Sequence, residues 1–368
     1  MNSISRRNAL AGGGALVLAG ASASVLGYRH MAATGNYDAA VFGSRAALGQ
    51  RPSDRELVRF ATLAPNGHNT QPWKFRVAVD QIDILPDFSR RTPVVDPDDH
   101  HLFVSLGAAA ENLSLAAAAR GHSGEVVFDP SGNGAVRVAL QSGPPVQTQL
   151  FEAIRHRQST RAVYDGRQVR AADLRQLAAT AVVSGVDLVI ITDRAQMAKI
   201  TDLIVAGHSA QMADPAFVTE LKHWLRFNPP EALATSDGLY SVASDNPVLP
   251  TWLGPFVFDQ FSSAASQNEQ YTRQLRSSAG IALFLGEAAD PRHWVQVGRA
   301  CQRFALQATA LGLKHAFVNQ PVEVAELRPA LAALAGMPGR RPDIVMRFGY
   351  GPILPYSLRR PAASVIVT

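Results

Sequence analysis

An α+β chain of two similar halves, the second interrupted by a large insertion, is the architecture this sequence predicts. Three observations point to it. The chain has 368 residues, 47% of them hydrophobic, enough to bury the core of two domains or of one duplicated domain. Short apolar strands alternate with helical periodicity on both sides of an irregular stretch. Two Ala-rich helical segments match at a constant offset of 191 residues: Gly107 meets Gly298, Leu113 meets Phe304, Leu115 meets Leu306, Ala117 meets Ala308 and Gly121 meets Gly312. The boundaries expected are a signal or anchor over 1–30, a linker over 31–50, a first half over 51–150 and a second over 151–368, with an insertion about 205–262.

The amino terminus carries Ser5-Arg6-Arg7-Asn8-Ala9-Leu10 ahead of an uncharged Gly/Ala/Leu run reaching Gly27, the layout of a twin-arginine export signal. Ala21-Ser22-Ala23 offers a cleavage site, and the length of the run leaves an uncleaved anchor open. The expected location is therefore exported, periplasmic or on the outer face of the cytoplasmic membrane, with the twin-arginine machinery as a partner. That machinery moves folded proteins, which suits one that acquires a cofactor first.

Pro52-Ser53-Asp54 starts a helix in which Leu57, Phe60, Ala61 and Ala64 share a face. It delivers the loop Ala64-Pro65-Asn66-Gly67-His68-Asn69-Thr70-Gln71-Pro72-Trp73, rich in donors and acceptors but without an acid. Such a loop suits a polar, planar ligand better than proton transfer; the plain alternative is a tight connection with Trp73 as core. Trp73 to Val79 and Ile82 to Leu85 follow as strands. Phe88 to His100 reads as a long loop. No carboxylate or third histidine stands at ligand spacing from His100 and His101, so no metal is expected there, only a helix cap and a surface contact.

Leu102 to Arg120 reads as a helix, and Val126 to Phe128 with Val136 to Leu140 as a hairpin. After a short helix, Arg157-Gln158-Ser159-Thr160-Arg161 places two guanidinium forks and a hydroxyl within five residues, either a phosphate cradle or a solvated basic turn. A helix over 171–183, a strand over 186–192 and a helix from 194 follow. Residues 228–255 are rich in Pro, Ser and Gly, yet Trp252, Phe256 and Phe258 favour an element that packs, a lid. Beyond Arg273 the alternation returns: strand 281–285, helix 293–311, strand 314–318, the segment Asn319-Gln320-Pro321-Val322-Glu323, a helix to Ala335, strand 344–349, and a tail with Arg359 and Arg360.

Composition excludes several functions. Net charge is +5, but no Lys/Arg cluster is interleaved with aromatics, so nucleic acid is not an expected partner. The single cysteine, Cys301, excludes an internal disulfide framework and a Cys-rich zinc site and reads as a packed thiol. No Ser-His-Asp ordering, Walker loop or dinucleotide fingerprint stands out.

The loop Ala-Pro-x-x-x-Asn-x-Gln-Pro-Trp at 64–73 resembles the signature of the nitroreductase superfamily, and the single-chain layout resembles its Acg-like branch. The resemblance implies a nitroreductase-like fold whose two fused homologous halves form a pseudo-dimer around FMN, covered by the insertion. Arg157, Ser159 and Arg161 would hold the phosphate, with Arg359 or Arg360 joining from the tail. Pro65, Asn66, Gly67, His68, Asn69 and Gln71 would contact the ribityl side and ring, and Pro321, Val322 and Glu323 would supply backbone near N5. Only one half carries each motif, so one complete site per chain is expected. Two positions depart from the family pattern: Asn66 and Gly67 stand where relatives have serines, and Val324 stands where they have glycine.

The implied activity is FMN-dependent transfer of hydride or electrons through flavin N5 to a nitroaromatic, quinone or similar planar acceptor, with no catalytic side chain required. NAD(P)H is the family's donor; outside the cytoplasm a quinol or a redox protein is expected. The alternative is a flavin-binding or sequestering protein whose closed lid prevents turnover. A monomeric pseudo-dimer or weak homodimer is expected.

Overall fold

Two sheets, antiparallel except for one edge strand, and a pair of long helices position everything else. The computed structural model describes residues 33–49, 53–261 and 263–367. The expected export signal lies outside them, and no helix among the described residues is long and apolar enough to cross a membrane.

The first sheet runs in the order Ile366–Val367, Trp73–Val77, Gln81–Pro86, Ala135–Ala139, Val126–Asp129. Its hairpins are antiparallel and in register, Phe75 opposite Ile84 and Phe128 opposite Val136. Phe75, Ile82 and Ile84 turn inward, as the alternation requires. The second sheet runs Lys314–Phe317, Ile344–Gly349, Gly280–Gly286, Val186–Ile191. Gly280–Gly286 is buried throughout and Ile344–Gly349 likewise, because helices cover both faces, which is why these strands are continuously apolar.

Between the sheets lie the helices His100–Ala118 and Pro291–Ala310, which pack on one another. Their crossing obeys the 191-residue offset. A Cβ added to Gly107 would sit 2.0 Å from Val295 O, and one added to Gly298 would sit 2.0 Å from Val104 O. Val104 and Val295 are themselves related by that offset, so each helix presses its glycine onto the equivalent carbonyl of the other. The polar contacts repeat the relation. Glu111 pairs with Arg303 at 2.9 Å, and the equivalent positions give Gln302 donating to Asn112 Oδ1 at 2.6 Å. The matching helices are thus two copies meeting about a pseudo-twofold axis. Phe60, Trp73, Phe75, Leu106, Phe284, Phe304 and Phe348 fill the core around them. A second cluster, with Ile200, Ile204, Ile281, Leu283 and Val345, lies under the helix Arg194–Ala213 on the far side of the second sheet.

Three expectations are corrected. The stretch read as a linker carries a helix over 33–44, fixed by Tyr37, which is buried, lies 4.6 Å from the Tyr240 ring and donates to Tyr356 O at 2.6 Å. The Pro-rich stretch after Asn228 is not one loop: Asn228 caps Pro229–Thr235, with proline in the first turn, and Gly254–Phe261 forms a further helix. The tail does not stay with the second half, since Ile366–Val367 pairs in parallel with Trp73–Val77 and completes the first sheet.

Candidate functional site

The helix Asp54–Thr62 ends beneath the loop, where His68 (φ 45°), Asn69 (φ 55°) and Gln71 (φ 54°) all adopt left-handed backbone. Three such non-glycine residues in four positions cost free energy and persist only where surroundings enforce them. Asn66 Oδ1 accepts from Gln71 N at 2.8 Å. Asn69 donates to Gly238 O at 3.0 Å and Leu358 O at 3.2 Å, and its Oδ1 accepts from Arg359 at 2.8 Å. Gln71 donates to Ser236 O at 2.9 Å and accepts from Arg360 N at 2.7 Å. Lid and tail therefore hold the loop in shape.

Two adjoining cavities open beside it, sharing Pro65, Asn66 and Arg161. The smaller, about 60 Å³, is lined by Arg45, Arg157, Ser159, Arg161 and Arg359, together with Asn69. Among the described residues no acidic side chain lines it. Burial, and then the neighbouring Arg157, push Arg45 down to about 9, and burial pushes Arg157 down to about 10. Arg359 is lowered by burial and by Arg45 and Arg157. Arg45 Nε and Arg157 Nε and Nη1 are buried without a hydrogen-bond partner among the described residues. Buried cations without a counter-charge are costly, and an oxyanion would relieve both the repulsion and the unmet donors.

The larger cavity, about 620 Å³, lies within the range of small-molecule sites. The lid supplies apolar lining through Phe217, Leu221, Phe227, Val257 and Phe258, and Gln211, Gln267, Gln270 and Gln274 line the cavity as well. His68 faces this space, and burial followed by the charge of Arg161 holds it neutral, down to about 4. Cys301 lines it as a buried thiol pushed up to about 12 by burial.

The structure brings Pro65, Asn66, Gly67, His68, Arg161 and Glu323 to the larger cavity and Pro65, Asn66, Asn69, Arg157, Ser159, Arg161 and Arg359 to the smaller. Gln71, Pro321, Val322 and Arg360 line neither. Val322 is core, and Arg360 is engaged with Gln71 O and lies 3.9 Å from Asp87. Arg359 borders the smaller cavity, but its guanidinium is committed to Thr62 O, Ala64 O, Leu358 O and Asn69. Val324 adopts φ −85°, an ordinary conformation that does not call for glycine.

Sequence reasoning missed Arg45, hidden in the supposed linker, and Gln211 and Asn319, which carry no motif. It also misplaced the histidine pair. His100 is buried against Asp343 at 2.9 Å, and His101 lies 3.4 Å from Asp96 and 3.1 Å from Asn319 Nδ2, facing the larger cavity. A carboxylate does stand beside them: donor atoms of Asp96, His100 and His101 lie within 4.8 Å of one another. Asp96 accepts from the backbone N–H of His101 and Leu102 at 2.9 and 3.0 Å, so the cap expected for the helix start comes from Asp96.

No protein-family model matches the chain. It is 28% identical over 343 residues to "Putative NAD(P)H nitroreductase Rv3131" of Mycobacterium tuberculosis, an alignment covering 87% of this chain and 94% of that one. It is 24% identical over 327 residues to "Putative NAD(P)H nitroreductase acg" of the same organism, covering 84% and 94%. Solved structures with weaker likeness include the FMN-dependent nitroreductase NfnB from Mycobacterium smegmatis in complex with NADPH, at 12% identity and a TM-score of 0.38 over 55% of this chain and 87% of that one. Another is a nitroreductase with bound FMN from Bacteroides fragilis, at 15% and 0.37 over 58% and 96%. Across most of its length, both halves included, the chain is thus similar to mycobacterial proteins named as nitroreductases.

Proposed function

We propose that this chain is an FMN-dependent oxidoreductase of the nitroreductase type, acting on a nitroaromatic, quinone or similar planar acceptor. The observation that carries the reading is the acid-free arginine pocket opening onto a cavity large enough for a planar ring system. Arg45, Arg157 and Ser159 would hold the phosphate, with Arg161 at the junction, and Asn66, Gly67 and His68 would border the ring. The relatives' printed names point the same way. FMN, when bound, supplies two-electron chemistry at its ring, so the chain has to bind and orient the flavin, admit the acceptor and exclude water with the apolar lid wall. The test is the visible spectrum of protein purified without added flavin. About one FMN per chain is the expected result, and a colourless protein that takes up no added FMN would end the reading.

A second reading, sequestration of flavin without turnover, is favoured by how firmly the lid is fastened: Asn69 and Gly238 exchange two hydrogen bonds, Gln71 holds Ser236 O, and Asp237 pairs with Arg90 and Arg226. Stopped-flow reduction separates the two, because a flavin that resists NAD(P)H and small reductants alike fits sequestration. We further propose that the chain is exported folded with its flavin, through its twin-arginine sequence, and then draws electrons from a quinol or a redox protein. Amino-terminal sequencing of the periplasmic fraction tests this, and an intact Met1 in a cytoplasmic pool would count against it. With both halves in one chain, a monomer or weak homodimer is expected from sedimentation.

A further inference from the structure

Two-electron reduction of a quinone consumes a hydride and a proton. The hydride arrives with the electrons, and a side chain facing the larger cavity can supply the proton. Most titratable groups there are already occupied. His68 is held neutral by burial and Arg161. His208 has its ring nitrogens on Asn268 at 2.9 Å and Gln267 at 2.7 Å. His101 has Asp96 on one ring nitrogen and Asn319 Nδ2 on the other. The Asn319 amide is oriented by Val345 N–H donating to its Oδ1 at 2.9 Å, so a donor faces His101 Nε2. Burial raises both the Tyr271 hydroxyl and the Cys301 thiol, making them weak acids. One carboxyl lines the cavity among the described residues, Glu323.

We propose that Glu323, held by Gln211, is the proton donor to the acceptor reduced in the larger cavity; this rests on the flavin-dependent reading above. Gln211 Nε2 donates to Glu323 Oε2 at 2.6 Å. That contact exists because Gly207, one turn earlier on Arg194–Ala213, lets the helix approach the Gln320–Glu323 turn so closely that a Cβ there would lie 2.9 Å from Gln320 backbone. Burial raises the Glu323 pKa, and Asp96 and Glu220 add to the rise; His101 and the Gln211 hydrogen bond oppose it, and Tyr271 faces it from the helix Ala264–Arg276. The net shift favours the protonated form of the one carboxyl that lines the cavity among the described residues.

The step balances. The hydride, with its electron pair, would come from reduced FMN if bound there, which would be oxidised, and would go to one quinone oxygen. The Glu323 O–H bond breaks as the other quinone oxygen takes the proton, giving hydroquinone and a Glu323 carboxylate. Water reprotonates the carboxylate after product leaves.

The test uses the flavin-loaded protein and Glu323→Gln, reduced anaerobically with dithionite and mixed with benzoquinone in single turnovers across about pH 5–9. Loss of a general acid predicts reoxidation on the order of 100-fold slower with a flattened pH profile. Ferricyanide, which takes electrons without a proton, should reoxidise both proteins equally. Infrared spectra should show a carboxylic C=O band at neutral pH that Glu323→Gln lacks. Glu323→Asp should restore part of the rate, and Gln211→Met should slow it less than Glu323→Gln. Unchanged benzoquinone rates in a variant that retains FMN would overturn the proposal, as would equal slowing with ferricyanide or identical infrared spectra. A wild-type protein that binds no flavin would instead overturn the reading beneath it.

Discussion

Arg157→Gln separates the phosphate-cradle argument from fold stability. Without ligand, Arg157 spends one N–H on Leu63 O at 3.0 Å, while Nε and Nη1 have no partner among the described residues. Losing the Leu63 contact costs about 1.5–3 kcal/mol, but removing a buried cation beside Arg45 and Arg359 recovers a comparable amount. The flavin-free variant should therefore melt within about 1 kcal/mol of wild type. FMN binding should respond differently, because the free N–H groups on Nε and Nη1 are ones a phosphate would satisfy, and their loss removes about 3 kcal/mol, on the order of 100-fold in Kd. The assay is fluorescence titration with FMN and with riboflavin, which lacks the phosphate. Wild type should prefer FMN strongly, and Arg157→Gln should weaken FMN binding while leaving riboflavin nearly unchanged. Equal affinity of wild type for the two flavins, or unchanged FMN binding in the variant, would mean that Arg157 does not hold the phosphate.

Gly298→Ala puts a methyl group 2.0 Å from Val104 O and should cost about 3 kcal/mol in urea unfolding, as should Gly107→Ala, its equivalent; a loss under about 1 kcal/mol would mean the helices can separate freely. His68 has a folded pKa of about 4 against 6.5 unfolded, so between those values the unfolded chain binds more protons and stability falls as pH is lowered, by up to about 3 kcal/mol at pH 4; His68→Gln should remove that part of the acid sensitivity in pH-dependent melting. Asp237→Ala leaves Arg90 and Arg226 facing each other and should loosen the lid, seen as faster limited proteolysis within 225–262 and faster flavin reduction, with no change expected only if the loop contacts of Asn69 and Gln71 suffice alone.

What was legible in the sequence was local. The strand at 344–349, the capped helices and the glycines at 107 and 298 announce themselves through period and spacing, and so does Arg157-x-Ser159-x-Arg161. Arg45 was not legible, because a short helix with one buried tyrosine carries too weak an apolar stripe to stand out from a linker. The histidine pair was misread for a different reason. Asp96 lies in a Pro/Asp-rich segment that looks solvated, and only the folded chain shows it turned onto the backbone N–H groups of His101 and Leu102. Gln211 meets Glu323 across 112 residues, a contact that no single-sequence pattern encodes.

The tail shows how the site depends on such distant contacts. The resemblance implies that Arg359 or Arg360 joins the phosphate site from the tail. The strand Ile366–Val367 instead anchors the tail beside Trp73–Val77, and Arg359 then spends its N–H groups on Thr62 O, Ala64 O, Leu358 O and Asn69 while Arg360 N holds Gln71. These contacts stabilise the left-handed residues Asn69 and Gln71, so the tail arginines shape the loop, while Arg45 and Arg157 retain the unmet donors. The second half therefore supports the loop's conformation, and the cationic pocket joins its Arg157, Ser159 and Arg161 to Arg45 and Asn69 from earlier in the chain. It follows that the loop cannot keep its geometry in the isolated first half, and that the two halves must fold together for either cavity to form.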